Sequence, residues 1–130
     1  MLIETLDVCD NKSGKLIPIE LNKVPFIPLR FFWITGMKQG VISGQHAHYL
    51  TKQYIICIQG KVEIDLYDGI VHRKFILNPN ESIFVDKLIW DSQKYLTNND
   101  ILLVLCSTLY NKEDYIYNII DFENQQRGRK

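Results

Sequence analysis

Electrostatic bias is the first thing this chain lacks. Its 130 residues carry 15 basic and 15 acidic side chains, for a formal net charge of zero. A protein that grips nucleic acid by charge shows a basic stripe, and there is none. The one basic cluster is Arg127, Arg129 and Lys130 at the C-terminal end, and residues 123–130 are expected to form a disordered basic tail. Cysteine is also scarce. Cys9, Cys57 and Cys106 are odd in number and form no CxxC, so neither a disulfide framework nor a zinc knuckle is indicated. Cys57 and Cys106 stand in apolar runs and read as small buried hydrophobes. No apolar run approaches the length of a membrane span. The opening Met1–Asp7 lacks a basic segment followed by an apolar stretch, so no secretory signal is expected. A reducing cytoplasm fits these features. Repeats, linkers and low-complexity segments are missing too. The length suits one domain, residues 1–130, with a proper core.

Helix signals are few, and short strands separated by turn residues dominate. Leu29 to Thr35 is aromatic and β-branched. Gln53 to Ile58 is apolar and ends at Gly60. Lys61 to Tyr67 alternates, with Val62, Ile64 and Leu66 on one face and Lys61, Glu63 and Asp65 on the other. Asp68-Gly69 is a hairpin turn, and Ile70 to Leu77 returns as the partner strand. Asn78-Pro79-Asn80-Glu81 turns the chain into a strand from Ser82 to Val85. Asp91 to Asp100 reads as a polar loop, and Ile101 to Thr108 as a strand buried on both faces. From Glu113 onward, Tyr115, Ile116, Ile119, Ile120 and Phe122 recur at helical spacing, which predicts one short C-terminal helix capped by Asn111. Evenly spaced short strands with Gly, Asn and Pro turns imply an all-β sandwich or small barrel.

The segment from Gly40 to Gly60 carries the chemistry. Its spacing is G-x5-H-x-H-x4-Q-x6-G, with His46, His48 and Gln53 at the polar points. Residues two apart on a strand point to one face, so His46 and His48 project together, and Gln53 on the next strand can point back at them. The pattern resembles the first motif of the cupins, where Glu usually stands in place of Gln53. The second cupin motif would fall between Pro79 and Asp91. There Glu81 replaces the usual Gly, and no His stands near Trp90. Catalytic metal sites generally use three protein ligands, and an amide oxygen is a poor ligand for a transition metal. No tightly held metal is therefore expected, and no cofactor. Two imidazoles without a metal can still move protons near neutral pH and divide the roles of base and acid. Burying both idle would be costly.

Most of the chain is similar to the sugar 3,4-ketoisomerase branch of the cupins. The resemblance lies in Gly14-Lys15-Leu16, Val24-Pro25-Phe26, Arg30, Gly44-Gln45-His46-Ala47-His48, Gln53, Gly60, Asp68-Gly69, Trp90, Ser107-Thr108-Leu109-Tyr110 and Asp114-Tyr115-Ile116. It implies a cupin jelly-roll barrel with one short C-terminal helix. It also implies an isomerase that converts TDP-4-keto-6-deoxyglucose to a 3-keto sugar nucleotide in deoxysugar biosynthesis. By resemblance His46 and His48 carry the proton transfer, with His48 named as base and His46 as its partner. Arg30 is expected at the diphosphate or the sugar, with a structural salt bridge as its alternative. Phe32, Trp33 or Trp90 is expected to stack on thymine or wall the sugar pocket, and only one of Phe32 and Trp33 can face inward. Gln53 is expected to hold a substrate oxygen or fix a tautomer, and Tyr110 to hydrogen-bond in the site or the core. Asp114-Tyr115 reads as helix-start structure, and His72 as a surface strand residue. Ser43, Tyr49 and Tyr117 stand where the family often carries cationic residues. A homodimer is expected by fold analogy, through the apolar region from Leu16 to Leu29. The other function classes compatible with the pattern are a non-enzymatic sugar-binding cupin and a metal-dependent cupin enzyme such as an epimerase or dioxygenase.

Overall fold

The computed structural model describes residues 3–11 and 13–128. Twelve strands and one α-helix are formed among them. Two five-stranded antiparallel sheets face each other. The first runs β1 (Ile3–Thr5), β9 (Glu81–Val85), β6 (Gln53–Gln59), β11 (Ile101–Cys106), β4 (Arg30–Ile34). The second runs β12 (Tyr115–Ile116), β5 (Ile42–His48), β10 (Trp90–Tyr95), β7 (Val62–Tyr67), β8 (His72–Leu77). A small ribbon pairs β2 (Cys9–Asn11) with β3 (Gly14–Leu16). This is the all-β jelly roll with one C-terminal helix, α1 (Ile119–Arg127), that the family resemblance implies and that the turn-punctuated strands narrow only to a sandwich or small barrel.

Alternation decides what fills the space between the sheets. Val62, Ile64 and Leu66 of β7 point inward, as their spacing predicts, and meet Ile55, Cys57, Ile83, Val85, Leu102, Val104 and Cys106 of the opposite sheet. Of these apolar side chains, which close one end of the barrel, Ile55, Val104 and Cys106 reach the boundary with the other end. The other end is polar, because β5, β10 and β12 turn His46, His48, Asp91, Gln93 and Tyr115 inward there.

Two elements depart from the sequence expectation. Trp90–Tyr95 is not a loop but the strand β10, in the middle of its sheet between β5 and β7. Its inward residues Asp91 and Gln93 are polar and buried, so hydrophobicity could not mark the strand, and the loop is confined to residues 96–100. The helix also begins later than Glu113. Asn111 caps a single 3-10 turn, Lys112–Asp114, its side chain accepting from the Glu113 amide. Tyr115 and Ile116 then pair with His48 and Ala47 as an edge strand. Asn118 caps α1 itself, accepting from the Ile120 and Asp121 amides.

The helix corrects a third expectation, since residues 123–127 are helical rather than a disordered tail; Arg129 and Lys130 lie outside the described residues. Phe122 is fully buried in a cluster with Ala47, Tyr67, Leu88, Trp90 and Ile116 on the outer face of the second sheet. Gln126 donates to the carbonyls of Asp68 and Leu88 at 2.9 Å each, and Tyr67 donates to Glu123. On the outer face of the first sheet, edge strand β4 leaves Phe31 and Trp33 each 64% exposed.

Candidate active site

The site is built where β5 breaks its own alternation. Asp91 pairs with His46, but Ser92 pairs with Gly44, so Gln45 is an extra residue bulged out of the ladder. Gln45 and Gly44 both adopt the left-handed region, at φ 56° and 79°. The bulge resets the phase, which lets Ser43 face inward together with His46 and His48. Gly44 is required on two counts. Its φ is one side chains rarely adopt, and a Cβ there would sit 2.7 Å from the Gln93 Oε1.

The imidazoles stand 5.0 Å apart between centroids, edge to face. His48 is buried, and its Nδ1 lies 3.0 Å from Oδ2 of Asp114. That carboxylate also accepts from the Leu50 amide at 2.7 Å, from the Thr51 amide at 3.3 Å and from the Thr51 hydroxyl. Burial alone would raise the Asp114 pKa, but the bonds from Thr51, Leu50 and His48 outweigh it and hold the carboxyl below its ordinary value. An ionised Asp114 can only accept, so it fixes the His48 proton on Nδ1. Nε2 of His48 is then a free lone pair, and it is buried with no hydrogen-bond partner. Burial lowers the His48 pKa, against the pull of Asp114, and keeps the ring neutral at pH 7.

His46 has a different companion. Its Nδ1 is 3.8 Å from Oδ1 of Asp91, and both atoms are buried without partners. Burial, then repulsion from His48, pushes His46 down to about 4. Burial pushes Asp91 up to about 7, against a hydrogen bond from Gln93. Ser43 donates to Gln93 Oε1 at 3.2 Å and lies 2.8 Å from the Tyr95 hydroxyl. Asp91, Gln93, Ser43 and Tyr95 thus form one polar ladder down the barrel wall.

Opposite the imidazoles, Phe32, Gln53 and Val104 line an interior cavity of about 160 Å³ that His46, Ser43 and Gly44 also border. Drug-sized ligands fill roughly 300–1,000 Å³, so this space suits only a small part of a larger substrate. Phe32 faces in and Trp33 faces out, as alternation requires. Gln53 is buried and donates to Sγ of Cys106 at 3.6 Å. Arg30 makes no salt bridge among the described residues. Its Nη2 donates to Cys106 Sγ at 3.4 Å, its guanidinium lies 5.6 Å from the ring centroids of Phe32 and Tyr110, and Tyr115 hydrogen-bonds to it. Its Nε is buried and unpartnered. Tyr110 is exposed at the rim.

Trp90 is the site residue the structure places elsewhere. It neighbours Asp91 on β10, and since Asp91 faces in, Trp90 faces out, 5.8 Å from the Phe122 ring. It therefore faces away from the imidazoles and their cavity, and borders instead an outer groove with Gly44, Gln45, Asp65 and His72. His72 is on the outer surface as expected, stacked on Tyr67 with its Nδ1 3.1 Å from Asp65.

Three residues escaped the sequence reading. Asp114, read as helix-start structure, is the partner of His48. Tyr115 packs 4.3 Å from the His48 ring and 5.2 Å from the His46 ring. Asp91 was assigned to a loop. The signal for Asp91 and Asp114 was only that an acidic residue stood beside an apolar segment; for Tyr115 there was none. Among the described residues no group of three or more His, Cys, Asp and Glu side chains is placed to hold a metal ion. No helix among them is long and apolar enough to cross a membrane.

Known proteins resemble this chain in sequence and in fold. The family model for FdtA, described as WxcM-like, C-terminal, matches residues 1–127. A TDP-4-oxo-6-deoxy-alpha-D-glucose-3,4-oxoisomerase of Aneurinibacillus thermoaerophilus is 30% identical over 115 residues, covering 87% of this chain and 83% of that protein. The crystal structure of a 3,4-ketoisomerase from Helicobacter canadensis superposes with a TM-score of 0.91 at 33% identity, over 97% of this chain and 96% of that one. A mutant of the 3,4-ketoisomerase QdtA from Thermoanaerobacterium thermosaccharolyticum, crystallised with TDP-4-keto-6-deoxyglucose, also gives 0.91, at 28% identity over 98% of this chain and 94% of that one. On its sequence match and its cupin-type fold, the chain belongs to the FdtA family.

Proposed function

We propose that this protein is a sugar-nucleotide 3,4-ketoisomerase that acts on TDP-4-keto-6-deoxyglucose and yields a TDP-3-keto-6-deoxyhexose for deoxysugar biosynthesis. One observation carries the reading. His48 is held by Asp114 through Nδ1 and keeps a bare, buried Nε2 beside a second imidazole. That is a base of fixed tautomer in a place shielded from water.

The C3 proton of the substrate is acidified by the carbonyl at C4. Nε2 of His48 takes it, and an enediol forms. The proton returns to C4, and the hydroxyl proton of C3 is given up, which leaves the ketone at C3. His46 serves the oxygens. Neutral rings suit the task, since a base that is already protonated cannot accept. The unpartnered Nε and the outer face of Arg30 offer hydrogen bonds to the diphosphate or a sugar oxygen, for which a forked guanidinium is well shaped. Phe32 and Gln53 contact the sugar in the cavity, and exposed Tyr110 covers the mouth.

Two copies of the chain are proposed to associate through the first sheet. Ile27, Leu29, Phe31 and Trp33 are exposed there together, and contiguous apolar surface of this kind marks an interface.

The decisive experiment follows purified protein and TDP-4-keto-6-deoxyglucose by proton NMR. Loss of the C3 proton signal and growth of a 3-keto product are expected. A substrate unchanged after prolonged incubation, at every pH from 6 to 8, would refute the activity.

A further inference from the structure

The mechanism uses Asp114 but leaves a second buried carboxyl unexplained. Asp91 is 1% exposed. Its Oδ1 faces Nδ1 of His46 at 3.8 Å, and neither atom has a partner. Buried polar atoms without partners are rare, and two that face each other call for a common cause.

The groups around the pair identify it. β5 also presents His48, which is occupied by Asp114. β10 presents Gln93 and Tyr95, tied through Ser43, and Asp100 acts on Tyr95 from beyond. β7 presents apolar Leu66 opposite Asp91. β12 brings the Tyr115 ring against His46. From the facing sheet come Gln53, Cys106 and Arg30, and Arg30 is engaged with Cys106 and Tyr115. No cation compensates Asp91 among the described residues. A carboxyl so placed keeps its proton.

We propose that Asp91, in its protonated form, is the positioning residue of His46: its carboxyl O–H donates to Nδ1 and so holds the imidazole proton on Nε2, the nitrogen left to the cavity. The gap of 3.8 Å closes as substrate fills the site; catalytic hydrogen bonds are commonly long until it does. The two histidines then carry opposite tautomers. His48 offers a lone pair from Nε2, and His46 offers an N–H.

This pairing balances every proton. His48 takes the proton from C3, and the C3–H electrons form the C3–C4 double bond. His46 gives its Nε2 proton to O4 while Asp91 passes its own to Nδ1, so no imidazolate forms. In the second half O3–H returns a proton to Nε2, and Nδ1 returns one to Asp91. The C3 carbonyl forms, and C4 takes the proton held by His48.

The reaction steps rest on the ketoisomerase reading; the tautomer is a property of the substrate-free protein and is tested separately. With Asp91 near 7 and His46 near 4, the pair holds one proton, on the carboxyl, at pH 6. As pH rises past about 7 the carboxylate draws the His46 proton to Nδ1. The test is nitrogen NMR of ¹⁵N-histidine protein at pH 6 and 8.5, with His46 assigned by His46→Gln. Expected is Nε2–H at pH 6, moving toward Nδ1–H at pH 8.5. In Asp91→Asn the amide donates to Nδ1, so Nε2–H should persist at both pH values. kcat should fall about tenfold or more, as a proton relay is lost, with KM little changed. In the parent protein kcat should fall above pH 7 as His46 loses its Nε2 proton, and in the variant that fall should vanish. His46 protonated on Nδ1 at pH 6, or a tautomer shift in Asp91→Asn matching the parent protein's, would overturn the proposal. If the parent protein shows no isomerase activity, the function fails while the tautomer result still decides the role of Asp91.

Discussion

Nδ1 of His48 and Oδ2 of Asp114 meet at 3.0 Å, joining strand β5 to a one-turn helix 66 residues further along the chain. The contact orients the ring, and it also anchors the turn that lays β12 on the sheet edge. Asp114→Asn keeps the shape but cannot hold the same tautomer firmly. Its kcat should fall by about 10²–10⁴-fold, the range for losing an oriented acid–base group. Stability should change with pH as well. A carboxyl whose folded pKa is depressed contributes stability above the unfolded value of about 4, and loses it as pH falls through the lower folded value. Denaturant titrations should therefore separate parent and variant at pH 7 and bring them together in strong acid.

His48→Ala and His46→Ala should each reduce turnover by at least about a hundredfold if both rings move protons. Circular dichroism should remain that of the parent, since neither ring belongs to the apolar end of the barrel. Either variant retaining full turnover would remove its residue from the mechanism.

Asp91 and His46 pull stability in opposite directions. His46, lowered to about 4, makes the unfolded chain bind more protons between about 4 and 6.5, so stability rises with pH there. Asp91, raised to about 7, makes the folded chain bind more protons between about 4 and 7, so stability falls with pH. Asp91→Asn removes the second effect only. It should be more stable than the parent at pH 8, with the advantage shrinking toward pH 5, as read by thermal melts across that interval.

Trp90 tests which side of the second sheet the sugar occupies. Because it packs on Phe122 outside the barrel, Trp90→Ala should cost about 3–5 kcal/mol of stability, as large-to-small changes in a core do. KM for the sugar nucleotide should stay within a few-fold of the parent at a temperature where the variant is folded. A large rise in KM with unchanged stability would return Trp90 to the pocket.

Gly60 marks a purely structural constraint. It has φ 83° and a Cβ there would lie 2.0 Å from Oδ1 of Asp100. Asp100 in turn accepts from the amides of Lys61 and Thr97 at 2.9 and 3.0 Å. Gly60→Ala should destabilise by more than about 1 kcal/mol, the usual scale for a side chain forced into positive φ, with kcat of the folded fraction unchanged.

The exposed Phe31 and Trp33 offer a last check, on association. Under the proposed association the parent protein should sediment as a dimer and Phe31→Glu with Trp33→Glu as a monomer of unaltered fold; a monomeric parent would refute it.

Much of this protein is written locally. The alternation of Val62, Ile64 and Leu66, the turns at Asp68-Gly69 and Asn78-Pro79, and the x-spaced pair His46 and His48 depend only on the period of a strand and the chemistry of a few side chains, so the sequence determined the all-β barrel and its paired imidazoles. Distance in the chain hid the rest. Asp114 joins His48 because β12 lies on the edge of β5; Asp91 joins His46 because a polar strand is stabilised by neighbours on both sides; the bulge at Gln45 turns Ser43 inward. Strand pairing made those choices, and with them which imidazole has an ionised partner and which a protonated one, because the burial and hydrogen bonding that set a carboxyl's charge exist only once the sheets have closed.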